Sequence, residues 1–196
     1  MNINSELLIE KEIQAAIDVK TDLISNHQII AQINTLANLI TRALREGGKV
    51  IFAGNGGSFA DAQHLSAEFT ARFLIDREPL ASVALGTNSS CMSAIANDFG
   101  YDQVFSRELA ALAKKGDVFI PISTSGNSSN ILEALNIAAR IGAVSVGLTG
   151  KFGGMMASRC ECIQVPSVDT ARIQECHILI GHILCGLVES NYFSNN

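Results

Sequence analysis

Basic residues are in short supply: 14 Lys and Arg stand against 19 Asp and Glu, a formal charge of -5. No positive field exists for a polyphosphate backbone, which excludes generic nucleic-acid binding, and any phosphate must be held by a few local groups. Proline is also scarce, with three scattered residues, and no internal repeat, low-complexity tract or linker breaks the 196-residue chain. A length that allows one sizeable core and not two therefore reads as a single domain over residues 1–196. No CxxC pair occurs among the five cysteines, Cys91, Cys160, Cys162, Cys176 and Cys185. An odd number without such pairs argues against a disulfide framework and suits a reducing cytoplasm. The start, MNINSELLIEKEIQ, lacks a basic region followed by an apolar stretch, so no secretory leader is expected. The longest apolar run, Ile178 to Val188, is interrupted by His182 and is too short to span a bilayer. A soluble cytoplasmic protein with neither nucleic-acid nor membrane partners is the expectation.

What is present is a clear alternation. Residues 1–48 carry two helical patterns: Ile9, Ile13 and Ile17 at four-residue spacing, then Ile33, Leu36, Ile40 and Leu44, ended by Gly47-Gly48. Over 49–196, the runs VIFAG, ASVALG, DVFIPIS, VSVGLTG and CIQVP read as buried strands, mostly followed by helical segments. This predicts an α/β fold: a doubly wound five-stranded parallel sheet flanked by helices, with an N-terminal helical extension. The last helix, about Thr170 to Phe193, is apolar on most sides, more than one domain surface covers, which favours an oligomer. Cys160 and Cys162 form a CxC that has no second pair to complete a metal site; RCECIQVP reads instead as a strand.

Ligands in such sheets bind at the carboxyl ends of the strands, and two loops there stand out. The first, Gly54-Asn55-Gly56-Gly57-Ser58-Phe59, fails the GxGxxG dinucleotide fingerprint because Phe59 occupies the close-packing glycine position. It also lacks a GK[ST] ending, so no nucleotide cofactor is expected. What remains is a strand, a glycine loop and a helix start, whose free N–H groups suit an anion or a sugar hydroxyl. The second loop, in DVFIPISTSGNSSNILEAL, gathers Ser123, Thr124, Ser125 and Ser128 before another helix. Simple capping would need one such hydroxyl; four suit a phosphate monoester.

GNGGS, AIANDFG, ISTSGNS, LTGKFGG and ARIQECH occur in an order that resembles sugar isomerase (SIS) domains, and most closely the bacterial phosphoheptose isomerases. The resemblance covers nearly the whole chain. It implies conversion of sedoheptulose 7-phosphate to D-glycero-D-manno-heptose 7-phosphate, an early step toward the heptose of lipopolysaccharide, by a homotetramer. By the same resemblance Ser123, Thr124, Ser125 and Ser128 hold the phosphate, and Asn55, Gly56, Gly57, Ser58, Asn97 and Asp98 line the sugar, with Glu68, Arg72 and Gln174 also near the substrate. Glu68 and His182 are the implied acid and base pair. Zinc is the one cofactor the resemblance admits, one per subunit: some members bind it through positions matching His64, Glu68, Gln174 and His182, and others are metal-free. Two positions depart from relatives: Phe59 stands where some have histidine, and Ala171 where some have an acid.

The chemistry agrees with those residue types. Moving a carbonyl between C2 and C1 needs a base for a carbon-bound proton and an acid for the developing enediol oxygen. His64, Glu68 and Arg72 at four-residue spacing form one stripe of an expected helix over Phe59 to Phe73, one turn past the glycine loop. His182 joins them by the resemblance, whereas His177 reads as a satisfied core histidine. Gln174 lies eight residues before His182, about 12 Å of helical rise. To share an ion with it, the helix must start late or bend near Gln174, or one ligand must come from a neighbouring subunit. A non-catalytic relative that senses a sugar phosphate or regulates replication initiation would lack the Glu68–His182 pair.

Overall fold

Each apolar run folds as a parallel strand, β1 Val50–Gly54, β2 Ser82–Ala84, β3 Val118–Ile122, β4 Val144–Gly150 and β5 Glu161–Val165, in the order β2-β1-β3-β4-β5. The computed structural model describes residues 5–194; residues 1–4 and 195–196 of the expected 1–196 domain lie outside them. β1 and β3 are buried at every residue, which is why they read as continuous apolar runs rather than alternating ones. Helices cover both faces. On one, α2 (His27–Arg45), α3 (Gly57–Thr70) and α7 (Thr170–Phe193) enclose a core that includes Ile40, Phe52, Leu65, Phe69, Ile120 and Ile180. On the other, α4 (Ser89–Phe99), α5 (Val104–Leu112) and α6 (Ser129–Ile141) enclose Ile51, Phe105, Leu109, Phe119, Ile131 and Leu135.

The sheet order reverses between β1 and β3, and there Gly54 is paired with Ile122. The glycine loop and the serine-rich loop therefore leave neighbouring strands at the same level, at the crevice where this architecture places ligands.

The expected N-terminal extension is α1 (Ser5–Ser25) followed by α2. In α1 only Leu23 is buried, while Ile9, Ile13 and Ile17 are 58%, 56% and 50% exposed. The stripe thus faces outward and stays largely uncovered among the described residues. α7 is long and apolar enough to cross a membrane by length and composition alone, a test that the core helix of a soluble fold also passes. Its surroundings explain the composition: Ile173, Ile180, Leu184 and Val188 are in the core, and its buried polar residues include His177 and Glu189. The covering is incomplete within one chain: Ile178, Leu179 and Leu187 are only partly buried, and Ile183 stays 40% exposed.

Candidate active site

The two loops are tied together by their own side chains. Asn55 donates from Nδ2 to Asn130 Oδ1 at 2.9 Å, Asn130 returns the same bond to Asn55 Oδ1 at 2.9 Å, and Tyr101 Oη donates to Asn55 Oδ1 at 3.2 Å. Asn55, expected along the sugar, thus spends its amide on fixing the glycine loop to the first turn of α6. Gly56 has φ +56°, a backbone state that side chains disfavour, and it starts α3 without any side-chain cap.

The serine loop is similarly prepared. Ser123 Oγ accepts from Gly126 N at 3.2 Å and lies 3.1 Å from Ser128 Oγ, while Ser125 Oγ accepts from Asn127 N at 3.2 Å. Ser128 is the N-cap of α6 yet makes no capping bond with its hydroxyl. In contrast, Asn26, Asn88 and Asp169 cap α2, α4 and α7 in the ordinary way. The start of α6 therefore keeps its positive dipole end open toward the crevice. Gly126 (φ +66°) permits this turn, because a Cβ there would sit 2.0 Å from Gly153 O. Thr124 O accepts from Gly150 N at 3.1 Å, joining the loop to the end of β4.

Helices α3 and α7 pack side by side and run in the same direction, as successive contacts show. Gln174 meets Asp61, Gly181 meets Leu65, and His182 meets His64. Gly181 makes the approach close: a Cβ there would overlap Leu65 at 2.4 Å. His64 Nε2 lies 2.8 Å from His182 Nε2 and 3.3 Å from Glu68 Oε1. The ligand atoms of His64, Glu68 and His182 all lie within 4.8 Å of one another. Two imidazole nitrogens and one carboxylate converging from two helices are a donor set of the kind that could hold Zn²⁺. Gln174 sits elsewhere. α7 begins at Thr170, so it does not start late enough to bring Gln174 to His182; the Gln174 amide donates to Asp61 Oδ1 at 2.7 Å and packs against Gly57.

The expected helical stripe is one turn too long. α3 ends at Thr70, so Arg72 lies past it, exposed, and not in line with His64 and Glu68. The cause is Arg77, whose guanidinium takes the Glu68 carbonyl at 2.8 Å and the Phe69 carbonyl at 3.0 Å, satisfying the acceptors of the last turn. Arg77 is itself paired with Glu189 of α7 at 2.6 Å, both side chains 3% exposed. Glu189 also accepts from Phe73 N, Leu74 N and Ile75 N at 3.1, 2.8 and 3.1 Å. Burial works to raise this carboxyl, but Arg77 and the three N–H groups outweigh it and hold it below the usual carboxylate range. The clamp delivers Phe73, whose ring stacks on that of His182.

Sequence reasoning passed over Asp61, Phe73, Arg77, Asn130 and Glu189. Asp61 is buried, Oδ2 has no hydrogen-bond partner, and burial raises its carboxyl above the ordinary range although Gln174, His64 and His182 act against this. Its place three residues before His64 was the one available signal. His177 is buried as expected but not satisfied: neither ring nitrogen has a well-formed hydrogen bond. Burial pushes it down to about 4, with only the Thr149 backbone opposing.

The SIS domain model matches residues 11–150. The chain belongs to the SIS domain family. Among its SIS domain relatives, the phosphoheptose isomerase of Aneurinibacillus thermoaerophilus is 50% identical over 188 residues, 95% of each chain. Phosphoheptose isomerase 2 of Campylobacter jejuni is 47% identical, covering 98% of this chain and 95% of its own. Two SIS domain structures superpose along their whole length: the Neisseria gonorrhoeae phosphoheptose isomerase (38% identity, TM-score 0.87, 95% of this chain and 100% of that one) and the Francisella tularensis one (33%, 0.90, 96% and 100%). Within this SIS domain, Ser58 is buried in the first turn of α3. Asn97 and Asp98 are exposed on α4, bonded to each other at 2.7 Å and lining an open cleft with Ser89 and Ser93. Phe59 packs beside Gly86, and Ala171 N is held by the capping Asp169 at 2.8 Å.

Proposed function

We infer that the chain is a phosphoheptose isomerase, converting sedoheptulose 7-phosphate to D-glycero-D-manno-heptose 7-phosphate by aldose–ketose isomerisation. What carries the reading is similarity to phosphoheptose isomerases along nearly the full length of both chains, together with a carboxylate and two imidazoles gathered on α3 and α7 and a serine loop at an uncapped helix start. A merely sensing relative would need no such pair.

The residues divide the work as follows. Ser123, Thr124, Ser125 and Ser128, with the open end of α6, take the phosphate, and the glycine loop over Asn55, Gly56, Gly57 and Ser58 borders the sugar. Glu68 as a carboxylate accepts the C1 proton of the ketose and returns it to C2, passing through an enediol. His182, from the opposite helix, exchanges protons with O1 and O2 as the carbonyl moves. Contact between the two Nε2 atoms requires one ring to donate and the other to accept, so without metal His64 and His182 hold complementary tautomers. Gln174 and Asp61 brace the glycine loop against α7.

Zinc belongs to the same proposal. His64, Glu68 and His182 would hold it, and when bound it would stabilise negative charge on the enediol oxygens. The assembly we propose is a cytoplasmic homotetramer, with α1 covering its apolar stripe against a second copy, active sites near the subunit interfaces, and a role in making lipopolysaccharide heptose. Residues 1–196 are taken as one domain. The test is an assay with purified protein and sedoheptulose 7-phosphate, with and without chelator, alongside metal analysis. Aldose product carries the isomerase reading, and no product under either condition sinks it. Product that survives complete metal removal leaves the isomerase and removes zinc.

A further inference from the structure

Away from the crevice, two sulfur atoms are in contact. Cys160 Sγ lies 3.8 Å from Cys162 Sγ, beside the thioether of Met156 and over Gly147, where a Cβ would meet Met156 Sδ at 3.2 Å and Cys162 Sγ at 3.1 Å. Cys160 stands just outside β5, which begins at Glu161. A cleft of about 310 Å³ lined by Asn26, Gln28, Gln32, Cys160, Cys162 and Gln164 opens beside the pair. Within the pair, the contact lowers the Cys160 thiol against the effect of burial, while the same contact and burial push the Cys162 thiol up. Cys176 and Cys185 are buried on α7, with thiols raised chiefly by burial.

The pair also has a mechanical connection. Cys160 N donates to Met156 O at 3.1 Å, closing the 3-10 turn Gly154–Ser158. That turn supports the serine loop: Met156 N donates to Gly126 O at 2.9 Å, Met155 N donates to Asn127 Oδ1 at 2.9 Å, and Gly153 lies against Gly126.

We propose that Cys160 and Cys162 are a redox modification site, which a low-molecular-weight disulfide closes into an intrachain disulfide, pulling on the turn that supports the serine loop. The Cys160 thiolate attacks one sulfur of the external disulfide, forming a mixed disulfide and releasing one small thiolate. Cys162 then gives its proton to solvent and attacks Cys160 Sγ, releasing the second small thiol. Two protein thiols are oxidised by two electrons, and one external disulfide is reduced to two thiols. Drawing the sulfurs from 3.8 Å to bonding distance, about 2 Å, requires Cys160 to move toward β5 and the turn to follow.

The effect on the serine loop rests on the isomerase reading, but the modification does not. Folded enzyme treated with oxidised glutathione and denatured under acid should lose about 2 Da, with peptide mapping joining Cys160 to Cys162. Cys162→Ser should instead retain one glutathione on Cys160. KM for the sugar phosphate should rise about tenfold to a hundredfold, the weight of one hydrogen bond to a charged group, and return to its starting value with dithiothreitol. An unchanged mass, or a stable glutathione adduct in the parent protein, would overturn the site. A closed disulfide with unchanged KM would overturn its coupling to the serine loop.

Discussion

The ring of Phe73 lies on the imidazole of His182 with centroids 5.8 Å apart and planes inclined by 19°, while Glu189 holds the Phe73 N–H at 3.1 Å. A loop residue thereby fixes the orientation of a ring on α7. Phe73→Ala should lower turnover about two- to tenfold, the value of one aromatic pair, with little change in KM. Phe73→Tyr should restore it. Loss confined to KM would mean that Phe73 contacts substrate rather than orienting His182.

Glu68→Gln keeps the side-chain shape but lacks a basic oxygen. Turnover should fall by about a hundredfold or more, and reaction of the parent in heavy water should place deuterium on C2 of the aldose. Metal content is measured in both proteins, since Glu68 belongs to the proposed zinc set. Near-parental turnover with unchanged metal would remove Glu68 from the proton path.

Replacing Ser123 and Ser125 together with Ala removes two hydroxyls, each worth about 1.5 to 3 kcal/mol if it meets a charged oxygen. Calorimetric titration with inorganic phosphate and steady-state KM should both show weakened binding. If phosphate binds the double variant as tightly as the parent, the loop serves only the backbone of α6.

Ile13→Lys with Ile17→Lys places two charges in the exposed stripe of α1. Light scattering should report a tetramer for the parent and smaller species for the variant. A parent that stays monomeric at micromolar concentration would contradict the burial argument.

His177, held at about 4, binds no proton in the folded protein at a pH where the unfolded chain, near the ordinary 6.5, already does. Its contribution to stability is complete above pH 6.5 and is lost as pH falls from there toward 4, by about 3 kcal/mol in total. Glu189, with its carboxyl lowered, adds a loss of the same sign that begins lower, in the carboxylate range. Urea unfolding across this window should show the decline, and His177→Leu should flatten the part above pH 5. An unchanged slope in that variant would place the proton elsewhere.

The sequence by itself determined the strands, the loops after them and the helix boundaries at Thr170 and Phe193, because these depend on local periodicity and on Gly, Ser and Asn at strand ends. VIFAG and DVFIPIS are apolar without alternation because parallel strands are buried on both faces. The same local logic brought Glu68 into view, and it overextended the stripe to Arg72 because nothing nearby marks the end of α3. Arg77 ends that helix by reaching back to its carbonyls, and Glu189 holds Arg77 from 112 residues away. Only the tertiary structure decided that Gln174 faces Asp61, 113 residues distant, and that His64 meets His182 across 118. Such pairs leave no periodic trace: the meeting depends on how closely α7 approaches α3, which the missing side chain at Gly181 permits beside Leu65.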